Sequence, residues 1–301
     1  MTAGTEQKLD RGGVTAALAA FVFWGLVPIY YKGLQDVGAW EVLAHRVIWS
    51  VPLLLFFLAV RDGRKIWKKL RLAPRNIAWL VLSGMVVSLN WLVFVWAVAN
   101  DHVLDTSLGY FGTPLVNVVL GYIFLKERLN TIQVAAVAVA ALGTVYLGWY
   151  LGGPPWIAMT LAISFGVYGL LRKRLPVGPM LGLLWEIALM LVPAALYLLW
   201  LSSRSNLQFL HMSTGIDLLL IGSSVVTVLP LIWFNMAAQK LPLSILGFFQ
   251  YLAPSMSFLI AVFLFGEAFT PGHAVAFACI WLALVMVSIE PFQRAVRRLN
   301  G

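Results

Sequence analysis

The run LGYFGTPLVNVVLGYIFLKERLN, residues 108–130, has a second version at residues 248–270, FFQYLAPSMSFLIAVFLFGEAFT. Pro114 and Pro254 interrupt the two runs, and Glu127 and Glu267 close them, thirteen residues further on in each. Both pairs are 140 positions apart, as are Phe94 and Phe234, and Ala97 and Ala237. A duplicated apolar segment offset by nearly half of 301 residues is what fusion of two copies of one half-molecule leaves behind.

A proline inside a helix removes one backbone hydrogen bond and displaces the carbonyl four residues earlier, here those of Tyr110 and Gln250. In hydrocarbon a freed carbonyl needs a partner or a wet cavity. The Pro–Glu spacing spans roughly 20 Å of helix, which puts the bend inside a membrane slab and not at its edge. Neighbouring helices can patch a single kink. Its recurrence in both halves favours a role at a shared centre.

Composition sets the class. The chain is 61% hydrophobic and 11% charged, with a mean hydropathy of +0.89, outside the range of soluble domains of this length. Apolar stretches of about twenty residues predict ten membrane spans, at residues 14–31, 40–60, 76–98, 103–125, 132–150, 156–171, 180–201, 216–238, 243–265 and 272–289. The net charge of +9 is not a nucleic-acid footprint, because of where the cations fall. With a cytoplasmic N-terminus and ten spans, 18 of the 21 Lys and Arg residues lie on the cytoplasmic side. Lys32 and Arg204 lie outside, and Arg46 falls within a span. This is the positive-inside asymmetry, and it predicts a multi-pass protein of the cell (inner) membrane with both termini cytoplasmic. The first apolar run has no cleavage site following it and reads as a span, not a signal peptide. Cys279, the single cysteine, offers neither a disulfide nor a metal cluster.

Along the chain, Pro28 bends helix one near its outer end, and the basic stretch 61–75 reads as a cytoplasmic loop lying on lipid headgroups. Helix five is rich in Ala and Gly, a pattern for close helix packing. Gly152-Gly153-Pro154-Pro155 breaks the chain near its midpoint. The predicted organisation is a tail at 1–13, a first five-helix repeat at 14–153, a second at 154–290 and a basic tail at 291–301. Because five is odd, the second repeat runs inverted. An offset of 141 then pairs Gly25 with Gly166, Pro52 with Pro193, and His45 with Glu186. Inverted repeats with interrupted helices at mid-membrane are a transporter architecture. Asn130 and Thr270-Pro271 have the chemistry of helix starts. Glu127 and Glu267 are therefore expected near the N-termini of helices five and ten, where a carboxylate is stabilised.

The paired Pro…Glu segments closing the fourth helix of each half resemble the drug/metabolite transporter superfamily, EamA type, over essentially the whole chain. Residues 41–50, EVLAHRVIWS, further resemble its RarD-like branch. Length and composition are similar to YddG-type exporters of aromatic amino acids. The resemblance implies ten helices, a central cavity lined by helices one, three, four, six, eight and nine, and alternating access with export as the usual direction. The second repeat departs from the first, with Gln250-Tyr251 standing where Tyr110-Phe111 does.

Ionisable groups inside a bilayer are functional candidates, and three fall within predicted spans: His45, Arg46 and Glu186. Two readings stand. In one, Arg46 attracts a substrate carboxylate while Glu186 meets an ammonium group or relays a proton. In the other, Arg46 and Glu186 form a salt bridge locking helix two to helix seven. Trp49, Asn90, Trp91, Phe94, Tyr110, Tyr168, Asn235, Gln250 and Tyr251 complete the candidate substrate wall. Apolar and aromatic surfaces with a few placed polar groups suit a small amphipathic ligand. The predicted function is secondary export of such metabolites, with aromatic and other neutral amino acids as substrates. Phosphorylated ligands would call for more mid-membrane cations than Arg46. An intramembrane enzyme lacks its motifs here, with no His-Glu-x-x-His, Gly-x-Ser-x-Gly or phosphate-binding loop. No cofactor, metal, ATP or nucleic acid is expected as a partner; membrane lipids and a small molecule are.

Overall fold

The computed structural model describes residues 10–63, 72–126, 129–241 and 249–300, without the side chains of 125, 174, 179, 235, 238, 239 and 287–300. Within these the chain is all-helical, with no strand. The helices are α1 (Arg11–Lys32), α2 (Ala39–Asp62), α3 (Pro74–Ala99), α4 (Val103–Leu125), α5 (Thr131–Leu151), α6 (Trp156–Arg174), α7 (Pro179–Ser203), α8 (Thr214–Lys240), α9 (Leu252–Leu259, continued by a π-turn, Ile260–Leu264) and α10 (Pro271–Asn300). Seven of them, α1 to α5, α7 and α8, contain spans long and apolar enough to cross a membrane, and Leu252–Leu264 and Pro271–Met286 are shorter apolar helices. Large apolar side chains face outward around the bundle, Phe263 and Trp149 being 79% and 77% exposed. That is how a chain solvated by lipid is built.

Local chemistry sets the helix ends. Asp10 caps α1, its carboxylate accepting from the Gly13 N–H at 2.6 Å. That hydrogen bond, helped by Lys240 nearby, holds the Asp10 carboxyl below its usual range. Asn130 and Gln133 form a reciprocal capping box at the start of α5, and Gly152 closes the same helix at φ +75°, a conformation glycine adopts without a Cβ clash. Residues 291–300, expected as a separate tail, continue α10 as helix.

Contacts show which links share an end. Lys32 pairs with Asp101 at 2.5 Å, Gly38 N–H donates to Gln208 at 3.1 Å, Trp96 meets Trp156 at 5.2 Å, and Tyr150 packs on Gly272. The α1–α2, α3–α4, α5–α6, α7–α8 and α9–α10 links therefore gather at one end, called here the far end. At the other, the basic end, Lys240 reaches Asp10 at 3.4 Å and Arg61 reaches Met180 at 3.0 Å.

The packing repeats itself under exchange of halves. α1 lies on α8 and α9 while α6 lies on α3 and α4; α2 meets α7, α4 meets α9 and α5 meets α10. The correspondence holds to the residue. A Cβ on Gly25 would sit 2.7 Å from Met256, and one on Gly166 would sit 2.8 Å from Val116. The glycines are 141 positions apart and their partners 140, so the same small-residue contact is made twice, once in each direction. Gly25→Leu is expected to pry α1 from α9 and cost about 1–3 kcal/mol by overpacking, read as a lower Tm of the detergent-purified protein.

The two proline segments are not equivalent. Pro114 lies within an unbroken α4, whereas the chain turns at Tyr251 and Pro254 sits in the first turn of the helix that follows. The expected mid-helix kink at Pro254 is thus a helix break. The Tyr251 carbonyl accepts from the Ser255 N–H and hydroxyl at 3.1 and 2.8 Å, and the Pro254 carbonyl accepts from Ser107 of α4 at 2.6 Å. At their C-terminal ends the segments resemble each other again. Lys126 and Gly266, 140 positions apart, both adopt positive φ, +56° and +69°. Pro28 is buried inside α1.

Candidate functional site

Arg46 projects from α2 against aromatic faces, its guanidinium carbon 4.1 Å from the centre of the Trp91 ring and 5.8 Å from that of Tyr31. Such a stack holds a cation where water is scarce. No carboxylate pairs with it among the described residues, and its Nε is buried without a hydrogen-bond partner. Beside it, His45 is 2% exposed. The Trp49 Nε1–H donates to His45 Nδ1 at 3.1 Å, so the neutral ring carries its hydrogen on Nε2. That Nε2 is also buried and unpartnered, as is the Ser50 hydroxyl. The Tyr31 hydroxyl, near Arg46 and Thr227, makes no well-formed hydrogen bond. Buried polar atoms normally find partners. Here a set of them is left open on α1 and α2, and every one can donate.

A wall of rings continues from this point. Phe94 meets Tyr31 at 6.1 Å and Tyr110 at 6.0 Å; Tyr110 meets Phe165 at 6.0 Å, and Phe165 meets Tyr168 at 6.1 Å. Asn90 sits behind it, 1% exposed and fully engaged. Its amide donates to the Leu161 carbonyl at 3.1 Å and to Ser164 at 2.9 Å, and its oxygen accepts from Tyr110 at 2.9 Å. Asn90, expected as a cavity-facing contact, ties α3 to α4 and α6 instead.

Glu186 closes the chain of rings. It is 1% exposed and accepts from Ser83 at 2.6 Å and Tyr168 at 3.1 Å. Its cation is Arg172, at 3.6 Å, and not Arg46, so the second of the two readings, an Arg46–Glu186 bridge, is not the pair that forms. By position along the chain Arg172 belongs with the topology-setting cations at the end of helix six. Its stem is long enough to turn inward, as a snorkelling side chain does in the opposite sense, and it packs directly on Gly182. Ser83, Ser164, Tyr31 and Phe209 join these clusters without any local sequence signal that marks them.

The remaining candidates lie apart. Tyr251 stacks on Phe111, centroids 6.4 Å apart at 19°, and Gln250 is half-buried just before the break. The Asn235 side chain and Glu127 lie outside the described residues. Glu267 corrects another expectation. Its carboxylate does not cap α10; its two oxygens accept from the Val103 and Leu104 N–H groups, both at 2.7 Å, at the start of α4. The π-turn and Gly266 redirect the chain to bring this about. Burial pushes the Glu267 carboxyl above its ordinary value, Asp105 and Asp101 add to the rise, and the two N–H donors pull against it. The neutral form is therefore relatively favoured in the fold, and its contribution to stability is present in acid and lost as pH rises. A cavity of about 440 Å³ opens here, lined by Asp101, His102, Asp105, Glu267 and His273 among others. No group of His, Cys, Asp and Glu able to hold a metal is found among the described residues.

An all-helical, multi-pass membrane bundle of two inverted halves, with a half-buried cation on an aromatic wall, has the build of a membrane transporter. Comparison with known proteins agrees. The EamA-like transporter family model matches residues 11–149. An uncharacterized transporter of Vibrio cholerae is 44% identical, with 95% of this chain and 94% of that protein covered. RarD of Escherichia coli is 42% identical over 95% and 96%, and a protein named Chloramphenicol-sensitive protein RarD of Pseudomonas aeruginosa is 33% identical over 93% and 94%. A solved crystal structure, 17% identical, superposes with a TM-score of 0.57 over 91% of this chain and 96% of that one, a likeness of fold. The chain belongs to the EamA-like transporter family, in its RarD-like branch.

Proposed function

We propose that this protein exports small amphipathic metabolites bearing a carboxylate, aromatic and other neutral amino acids foremost, by alternating access. The observation that carries the reading is the set of unpartnered donors on α1 and α2, Arg46 among them. A guanidinium Nε–H, an imidazole Nε2–H and two hydroxyls together call for an acceptor-only group, and the Trp91, Phe94 and Tyr110 rings offer a surface for an apolar body. Trp49 sets the imidazole. Glu186 is available to an ammonium group or a proton only after Arg172 lets go. The distribution of Lys and Arg supports a cytoplasmic basic end, with the far end outside and both termini on the cytoplasmic side of the inner membrane. Phosphorylated substrates fit less well, because Arg172 is already engaged with Glu186.

A second reading, a drug-like aromatic solute without a carboxylate, is suggested by the ring wall and by the name of the Pseudomonas relative. Proteoliposomes separate the two. Labelled Phe, Trp and Thr should accumulate faster than in empty vesicles, with and without a pH gradient compared. Chloramphenicol transport with no amino-acid transport would favour the second reading, and transport of neither would sink both.

A further inference from the structure

We infer that Glu41 and Glu267 are gating residues, carboxylates that hold the far end shut by each gripping backbone N–H groups of the opposite repeat. Glu41, in the first turn of α2, is 2% exposed, and its Oε1 accepts from the N–H groups of Gln208 and Phe209 at 2.9 and 3.0 Å. These donors belong to the α7–α8 link of the second repeat. Glu267, from the second repeat, does the reverse, taking the Val103 and Leu104 N–H groups of the first repeat at 2.7 Å each. Among the described residues neither carboxylate has a cation within salt-bridge distance. The hydrogen bonds they accept come from the other half of the molecule.

The direction of these bonds is what distinguishes them. A carboxylate on an N–H group of its own repeat only ties a link to the helix it leads into; Asp217 of α8 does this for Leu210 of the α7–α8 link at 2.7 Å, inside the second repeat. Glu41 and Glu267 instead cross the boundary along which two inverted repeats must part if the far end is to open. Charge-assisted bonds to backbone N–H groups are strong, yet water can replace both partners once they separate, so the closure is reversible. The Glu41 grip also seats Phe209 on His45, ring centroids 4.5 Å apart, directly beside Arg46. Gln208 fastens the same link to the α1–α2 link through the Gly38 N–H at 3.1 Å and the Asp36 carbonyl at 2.9 Å. The far-end closure therefore lies over the open donors. This inference rests on the alternating-access reading above, but its test needs no substrate.

The experiment uses the full chain with Cys279→Ala and a Ser50→Cys reporter, in sealed vesicles with the far end outward, exposed to a membrane-impermeant thiol reagent. Glu41→Ala and Glu267→Ala each remove two such bonds and are expected to raise the labelling rate at least about tenfold, the population shift that the loss of even one charge-assisted bond gives. Asp217→Ala, which removes the same chemistry within one repeat, should leave the rate unchanged. Unchanged labelling in well-folded Glu41→Ala and Glu267→Ala proteins would overturn the proposal, as would an equal rise in Asp217→Ala. If the alanine variants fail to fold, Phe209→Ala and Glu41→Gln take their place: faster labelling supports the gate, and an unchanged rate overturns it.

Discussion

Arg46→Met is expected to cut transport roughly a hundredfold while leaving the protein as stable as before, or more so. In most proteins loss of a buried arginine breaks an ion pair and lowers stability, because its partner is stranded. Here no described carboxylate is stranded, and the Nε lacks even a neutral partner. The cost of holding that charge out of water falls on the fold, and removing it for an apolar side chain of similar length relieves that cost. Transport should respond in the opposite sense. A substrate carboxylate that loses a buried charged partner forfeits about 3 kcal/mol, or roughly a hundredfold in kcat/KM. Arg46→Lys is expected to fall between, since an ammonium keeps the charge but not the planar stack on Trp91. Thermal unfolding in detergent, with and without Phe, checks both halves. Ligand should raise the Tm of the parent protein and not of Arg46→Met. A marked fall in Tm for Arg46→Met would show that the guanidinium holds the fold together, and the carboxylate role would go with it.

Glu186→Ala is expected to show the contrary pattern. Its carboxylate is satisfied by Ser83, Tyr168 and Arg172, so removing it takes the counter-charge from a half-buried guanidinium left with the Val177 and Gly178 carbonyls, and the acceptor from the Tyr168 hydroxyl. Breaking one side of such a pair costs about 3–5 kcal/mol. The Glu186→Ala, Arg172→Ala double variant should be less destabilised than the sum of the single changes, a coupling that a double-mutant cycle reads directly. Glu186→Gln should recover part of the loss, because the amide oxygen still accepts from one hydroxyl. Additive losses in the cycle would mean that the 3.6 Å pair carries no energy of its own. Together the two substitutions separate a charge kept for a ligand from a charge kept for the fold.

The contrast bears on how the cations of this chain are read. In the sequence Arg172 belongs with Lys173 and Arg174 as a topology signal, and Arg46 is the isolated intramembrane charge. Both statements concern position along the chain. Neither says where a long side chain ends. Arg172 reaches back from its helix end to Glu186, and Arg46 is left to the rings of Trp91 and Tyr31. Asn90 shows the same limit from the other side. As a polar residue in an apolar run it reads as a ligand contact, but three protein partners consume its hydrogen-bonding groups.

What the amino-acid order determined by itself was the class and the plan: a lipid-solvated helical bundle, doubled and inverted, with its cations gathered at one end. Hydropathy, charge and the 140-residue offset are one-dimensional quantities, and the bilayer imposes helices wherever apolar runs are long enough, because no other local structure satisfies the backbone there. Tertiary structure alone decided the partners. Glu267 turns onto α4 because a π-turn and a left-handed glycine rotate it away from α10, and Glu41 meets a link some 167 residues distant. Such pairings depend on how packed helices present their ends in three dimensions, and no spacing along the chain encodes them.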